Sequence, residues 1–136
     1  MQYIDANIFL RFLTRDDPKK SEACYRLFEE ADRGKKTLYT TESVVAEVVY
    51  ILQSKKLFNY SRDVTVKNLL TILTLKGLKI VHKKLIILGL QIYLKFNIDF
   101  EDAVLASYVL NSKNKELYSY DLDFNKIDGI KRIEPK

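Results

Sequence analysis

Short β-prone runs alternate with helical stripes along this chain, and no other feature constrains its fold as strongly. Tyr3-Ile4-Asp5 is a brief apolar approach to a carboxylate, after which Asn7 to Leu13 sets Ile8, Phe9, Phe12 and Leu13 at helical spacing. Asp16-Asp17-Pro18 ends that helix and opens another, because proline suits a first helical turn. The second helix runs to about Arg33 with Ala23, Leu27, Phe28 and Ala31 toward the core, and Gly34 closes it. Thr37-Leu38-Tyr39-Thr40 reads as a strand, followed by a helix with Val44, Val45, Val48, Ile51 and Leu52 as its stripe.

Ser61 is placed to cap a helix carrying Val64, Val66, Leu69, Leu70 and Leu73, and Gly77 ends it before the strand Leu78-Lys79-Ile80-Val81. Two more helices, from about Leu85 to Phe96 and from about Phe100 to Leu110, are broken at Asn97-Ile98-Asp99. Leu117-Tyr118-Ser119 is a strand, Asp121 to Lys126 a polar turn, and Ile130 to Ile133 a short last strand. Parallel strands need crossovers, usually helices, so this order predicts an α/β domain spanning residues 1–136. Its sheet is mostly parallel, of about five strands, with helices on both faces.

Composition narrows the chemistry. The 136 residues include 23 Lys plus Arg against 18 Asp plus Glu, for a formal charge of +5, and 47% are hydrophobic, enough for a real core. Cys24 is the sole cysteine and His82 the sole histidine, so an internal disulfide, a multi-cysteine zinc site and a three-histidine metal centre are excluded. Metal or acid–base chemistry therefore falls to carboxylates. No run approaches the roughly 18 apolar residues of a membrane span, and the N-terminus lacks a signal-peptide pattern, so a soluble cytoplasmic protein is expected.

The carboxylates fall at telling places. Asp5 ends the first strand, Glu47 lies in the helix after the second, Asp102 begins a late helix, and Asp121 follows the Leu117 strand. In parallel α/β sheets, ligands bind at the carboxyl ends of strands, where acids from distant segments can meet. Glu47 is flanked by Val44, Val45, Ala46, Val48 and Val49, which predicts partial burial and hence a nearby cation or hydrogen-bond network. Asp5 doubles as a helix N-cap. Acids gathered together repel unless a divalent cation joins them, and oxygen-only donors select Mg²⁺ or Mn²⁺ over zinc. Such ions activate water and stabilise a charged transition state, so phosphodiester hydrolysis is the natural reaction.

With those residues in order, the chain resembles the PIN-domain nucleases, most closely the single-domain VapC-type toxin ribonucleases of VapBC toxin–antitoxin pairs. Tyr3-Ile4-Asp5-Ala6-Asn7 is similar to the family's opening Asp-Thr-Asn element, with Ala6 at the hydroxyl position. Ser43-Val44-Val45-Ala46-Glu47-Val48 is similar to its glutamate helix, and Phe100-Glu101-Asp102-Ala103 to its third motif. Leu117-Tyr118-Ser119-Tyr120-Asp121-Leu122-Asp123 is similar to the fourth, with Ser119 where threonine is common. The resemblance implies a PIN-like three-layer fold and a Mg²⁺- or Mn²⁺-dependent endoribonuclease with Asp5, Glu47, Asp102 and Asp121 as catalytic metal ligands. It further implies supporting roles for Asn7, Ser119 and Asp123, with Asp99 as the other candidate for the third acid beside Asp102. A homodimer, an RNA substrate and a cognate antitoxin in a type II pair follow from the same resemblance.

Between Asp63 and Asp99 the chain has six lysines and no acid. Lys79, Lys83 and Lys84 are candidates to track RNA phosphates. Tyr25, Tyr39, Tyr50, Tyr93, Tyr108, Tyr118 and Tyr120 include candidate RNA-stacking rings, most of them expected in the core or a dimer surface. Cys24 and His82 read as structural. The competing reading is a non-catalytic PIN-like RNA-binding or scaffold module. An aspartyl-nucleophile phosphatase would need a second Asp where Asn7 stands.

Overall fold

Short strands of two or three residues, all paired in parallel, carry the sheets of this protein. The computed structural model describes residues 1–136 and divides them into two compact units, Met1–Lys83 and Lys84–Lys136.

The first unit contains β1 (Gln2–Tyr3), α1 (Ala6–Thr14), α2 (Pro18–Asp32), β2 (Leu38–Tyr39), α3 (Glu42–Gln53), α4 (Arg62–Leu73) and β3 (Leu78–Lys79). Its sheet has the order β1-β2-β3, with Gln2, Leu38 and Leu78 in one register row and Tyr3, Tyr39 and Lys79 in the next. Each helix begins where a side chain satisfies an orphan N–H: Asp5, Asp17, Thr41 and Ser61 all accept from the third residue onward. Pro18 occupies the first turn of α2, as the sequence predicts. α1 packs on α2 and α3, and α3 on α4. Phe9, Phe28, Leu38, Leu52, Leu69 and Leu78 are fully buried there. Phe12 meets Phe28 edge-on at 5.2 Å between centroids. The buried side of α2 is Ser21, Cys24, Phe28 and Ala31, a spacing of three and four, which leaves Ala23 exposed rather than in the core. Cys24 is a core thiol whose pKa burial pushes up.

Gly77 ends no helix by itself, since α4 already stops at Leu73. Its role is close approach: a Cβ there would stand 2.3 Å from the Ala31 carbonyl oxygen. Gly34, by contrast, has φ +76° and open space around it, the ordinary helix-terminating use of glycine.

The second unit holds most of α5 (Lys83–Lys95), then α6 (Phe100–Asn111), β4 (Glu116–Tyr118), a 3₁₀ turn (Leu122–Lys126) and β5 (Lys131–Ile133). β4 and β5 form a parallel pair. Inside the unit, α5 and α6 approach closely at Gly89, whose absent Cβ would lie 2.9 Å from Val104 Cγ2. Tyr93 meets Phe100 edge-on at 5.7 Å. The fold is thus α/β with five strands and parallel pairing throughout, and the ladders divide the strands three and two. No helix is long and apolar enough to cross a membrane.

Candidate active site

Asp5 stands just beyond β1 in extended backbone (φ −100°, ψ −177°), and its Oδ1 accepts from Ile8 N at 3.3 Å. One carboxylate oxygen is thereby fixed to the start of α1, and the side chain remains exposed. A cleft of about 460 Å³ lies against it, lined by Tyr3, Ile4, Asp5, Ile8, Thr40, Thr41 and Val44. Asn7 follows in the first turn of α1 and is exposed. Thr40 and Thr41 are committed to the frame: Thr40 Oγ1 donates to Ile4 O at 3.0 Å, and Thr41 Oγ1 accepts from Val44 N at 3.3 Å.

Glu47 departs from expectation. It is exposed, not partly buried. Val45, Val48, Val49 and Leu52 form the buried side of α3, and at about 3.6 residues per turn Glu47 falls on the opposite side, with Ser43 and Tyr50. The apolar neighbours in sequence are neighbours around the helix circumference only in part, so the valine run does not enclose the carboxylate. Glu47 and Asp5 still belong to packed elements, since α1 rests on α3.

In the second unit, Asp102 sits in the first turn of α6, half-buried, where the helix dipole favours an anion. Its pKa is nevertheless raised, first by burial and then by the charges of Asp121, Asp99, Asp123 and Glu101. Asp99 is the N-cap of α6, exposed, with no side-chain cap bond. Asp121 is exposed and caps the 3₁₀ turn through Oδ1, which accepts from Asp123 N at 2.9 Å. Ser119 Oγ accepts from Asp121 N at 3.0 Å, while Arg132 NH1 donates to Ser119 O at 2.8 Å, so the strand end before Asp121 is pinned on two sides. Asp123 pairs with Lys126 at 2.9 Å.

Asp102 and Asp121 have no lysine or arginine ion-pair partner. The donors are all carboxylate oxygens, and their mutual repulsion is what a hard divalent cation relieves, so the donor chemistry fits Mg²⁺ or Mn²⁺. The side chains are not drawn tight: no three His, Cys, Asp or Glu groups within either unit stand close enough to ligate one cation.

The lysines divide. Lys79 and Lys84 are exposed. Lys83 is half-buried, and its Nζ donates to Leu75 O at 3.1 Å and Leu78 O at 2.7 Å. Burial, with the nearby Lys79 charge, lowers its pKa. Lys83 therefore clamps the entry to β3 instead of presenting a free ammonium to phosphate. His82 occupies the turn before α5 with φ 58°.

One residue of interest escapes the sequence reading. Tyr3, taken there as an apolar strand residue, is 62% exposed and lines the cleft beside Asp5. Both residues of β1, Gln2 and Tyr3, are exposed while Ile4 just after it is buried, a pattern with no regular alternation for the sequence to show.

Comparison with known proteins gives the family. The family model described as PIN domain matches residues 2–130. The chain is also 26% identical over 135 residues to a VapC ribonuclease of Aquifex aeolicus (strain VF5), covering 99% of this chain and 97% of that protein. The family match runs through both units and through Asp5, Glu47, Asp102 and Asp121, and the chain belongs to the PIN domain family.

Proposed function

We propose that this protein is a Mg²⁺- or Mn²⁺-dependent endoribonuclease, the toxin of a type II toxin–antitoxin pair, and that both units work as one nuclease domain. Asp5, Glu47, Asp102 and Asp121 are its metal ligands in this reading. The observation that carries it is Asp102: a half-buried carboxyl loaded with like charge and given no cation by the protein itself. Like charge gathered around an acid with no cationic partner is what a bound divalent ion relieves. The family membership and the similarity to a VapC ribonuclease support the same substrate class.

A divalent ion held there supplies charge stabilisation at a phosphate and a more acidic water. The chain's own residues do the rest. The cap bond from Ile8 N holds Asp5 in one orientation, and the Ser119 and Arg132 bonds fix the backbone that presents Asp121. Asn7 is an exposed amide two residues from Asp5, available to hydrogen-bond substrate. Asp123, tied to Lys126, limits the negative charge near Asp121. Lys79 and Lys84 supply exposed positive charge for the RNA backbone. A homodimer and a cognate antitoxin complete the proposal, with action in the cytoplasm.

The test is cleavage of single-stranded and structured RNA with Mg²⁺, with Mn²⁺, and in excess chelator, for the parent and for Asp102→Asn and Asp5→Asn. Cleavage that needs the metal and both carboxylates is expected. A rate unchanged by chelation overturns the proposal. RNA that is bound but never cut under any metal assigns the chain to the non-catalytic binding class instead.

A further inference from the structure

Parallel sheets are ordinarily covered on both faces, so an uncovered row at the carboxyl ends of three strands calls for a physical reason. Tyr3, Tyr39 and Lys79 form such a row, in register across β1, β2 and β3. Residues in register share a face, so two aromatic rings and an ammonium point the same way. The rings are 5.5 Å apart between centroids and tilted by 38°. Tyr3 is 62% exposed, Tyr39 half-buried and Lys79 exposed. In the row before, Leu38 and Leu78 are buried and Gln2 at the β1 edge is exposed; past the row, Ile4, Thr40 and Ile80 are buried.

The row opens onto a cleft of about 590 Å³ whose walls include Tyr3, Tyr39, Lys79 and Val81 and contain no acid. That size falls among small-ligand sites, about 300–1,000 Å³. The cleft shares Tyr3, Thr40 and Thr41 as walls with the cleft that holds Asp5, so the two adjoin. Lys79 has no carboxylate partner, and the Thr40 hydroxyl is spent on Ile4 O.

We propose that this row is a nucleotide subsite, in which one base of single-stranded RNA stacks on Tyr3 against Tyr39 while the adjoining phosphate pairs with Lys79. The proposal rests on the nuclease reading and gives it a substrate-positioning element next to Asp5. Stacking on aromatic rings beside a cation is the chemistry that holds single strands, and it tolerates any base because every base has a π-face. A second copy of this chain is a poor occupant, because it would bring another +5 molecule against an unpaired lysine.

The test is binding of a labelled single-stranded RNA, read by anisotropy in chelator so that no cleavage is required. Tyr3→Leu is expected to weaken binding about 5- to 100-fold, and Tyr3→Phe to bind as the parent does. Scanning one abasic residue along the RNA should locate a position at which the Tyr3→Leu effect disappears. Lys79→Gln should weaken intact and abasic RNA alike and lower the salt slope by about 0.7. The proposal falls if Tyr3→Leu leaves affinity unchanged, or weakens RNA equally at every abasic position. It also falls if sedimentation shows Tyr3→Leu changing the oligomeric state, which would give the row to a contact between copies. Absence of cleavage with metal would sink the nuclease reading while leaving the Tyr3 result intact, and an inert Tyr3 leaves carboxylate-dependent cleavage intact.

Discussion

Replacing Gly77 by alanine is the sharpest stability test that the molecule offers. The added Cβ would stand 2.3 Å from the Ala31 carbonyl oxygen, 2.7 Å from the Lys36 carbonyl oxygen and 2.8 Å from the Ala31 carbonyl carbon. All three are main-chain atoms, so no rotamer change relieves the contact, and the nearest must retreat to at least 3.0 Å. The surrounding bonds resist that retreat. Leu38 N donates to Gly77 O at 2.7 Å, Lys35 N to Glu30 O at 2.8 Å, and Lys83 Nζ holds Leu75 O and Leu78 O. Overpacking costs about 1–3 kcal/mol and a strained main-chain hydrogen bond about 1 more, so Gly77→Ala should lose about 2–4 kcal/mol. Gly34→Ala is the control: its φ of +76° costs an alanine about 1 kcal/mol, with nothing within 4 Å to collide with. Urea unfolding at fixed m gives both values. A Gly77→Ala loss no larger than that of Gly34→Ala would refute the close-approach argument.

Further outcomes can be measured on single variants. Asp5→Asn keeps a capping oxygen for Ile8 N, so it should abolish RNA cleavage with little change in melting, whereas Asp5→Ala should lose cleavage and about 1 kcal/mol. Thr65 is fully buried with its Oγ1 unpartnered, so Thr65→Val should stabilise by about 1 kcal/mol; a destabilised variant would mean the hydroxyl has a partner. Asp102 carries a raised pKa, so its contribution to stability is fully present below the ordinary value of 3.8 and is lost as pH rises through the folded value. Asp102→Asn should therefore gain on the parent as pH rises across that window, and added Mg²⁺ should close the gap by stabilising the parent alone. Identical pH profiles for the two proteins would remove the like-charge account.

The helix starts were legible because capping is local. Asp5 and Ser61 announce their helices by side-chain chemistry that needs only the next three residues. The parallel pairing of β1, β2 and β3 was legible because helical stripes separate those β-prone runs, whereas β4 and β5 are joined through a short 3₁₀ turn that carries no such signal. Exposure was harder to read. Glu47 seemed enclosed by valines, yet the helical turn carries it to the far side from Val45, Val48 and Val49. Lys83 and Lys79 look equivalent in a lysine-rich stretch, and only the position of two carbonyls separates a clamp from a free cation.

What the sequence determined by itself, then, is the order of elements, the places of the acids along the chain, and the exclusion of multi-cysteine or three-histidine metal centres in a chain with one histidine and one cysteine. These follow from local propensity and from the inventory of donors. Only the tertiary structure decided that Tyr3, Tyr39 and Lys79 share an open row, because register joins residues about 36–40 positions apart in sequence through hydrogen bonds that no local signal encodes. It decided also that Asp102 is the acid burdened by burial and by its neighbours' charge, since that burden depends on what surrounds a carboxyl in space and not on what flanks it in the chain.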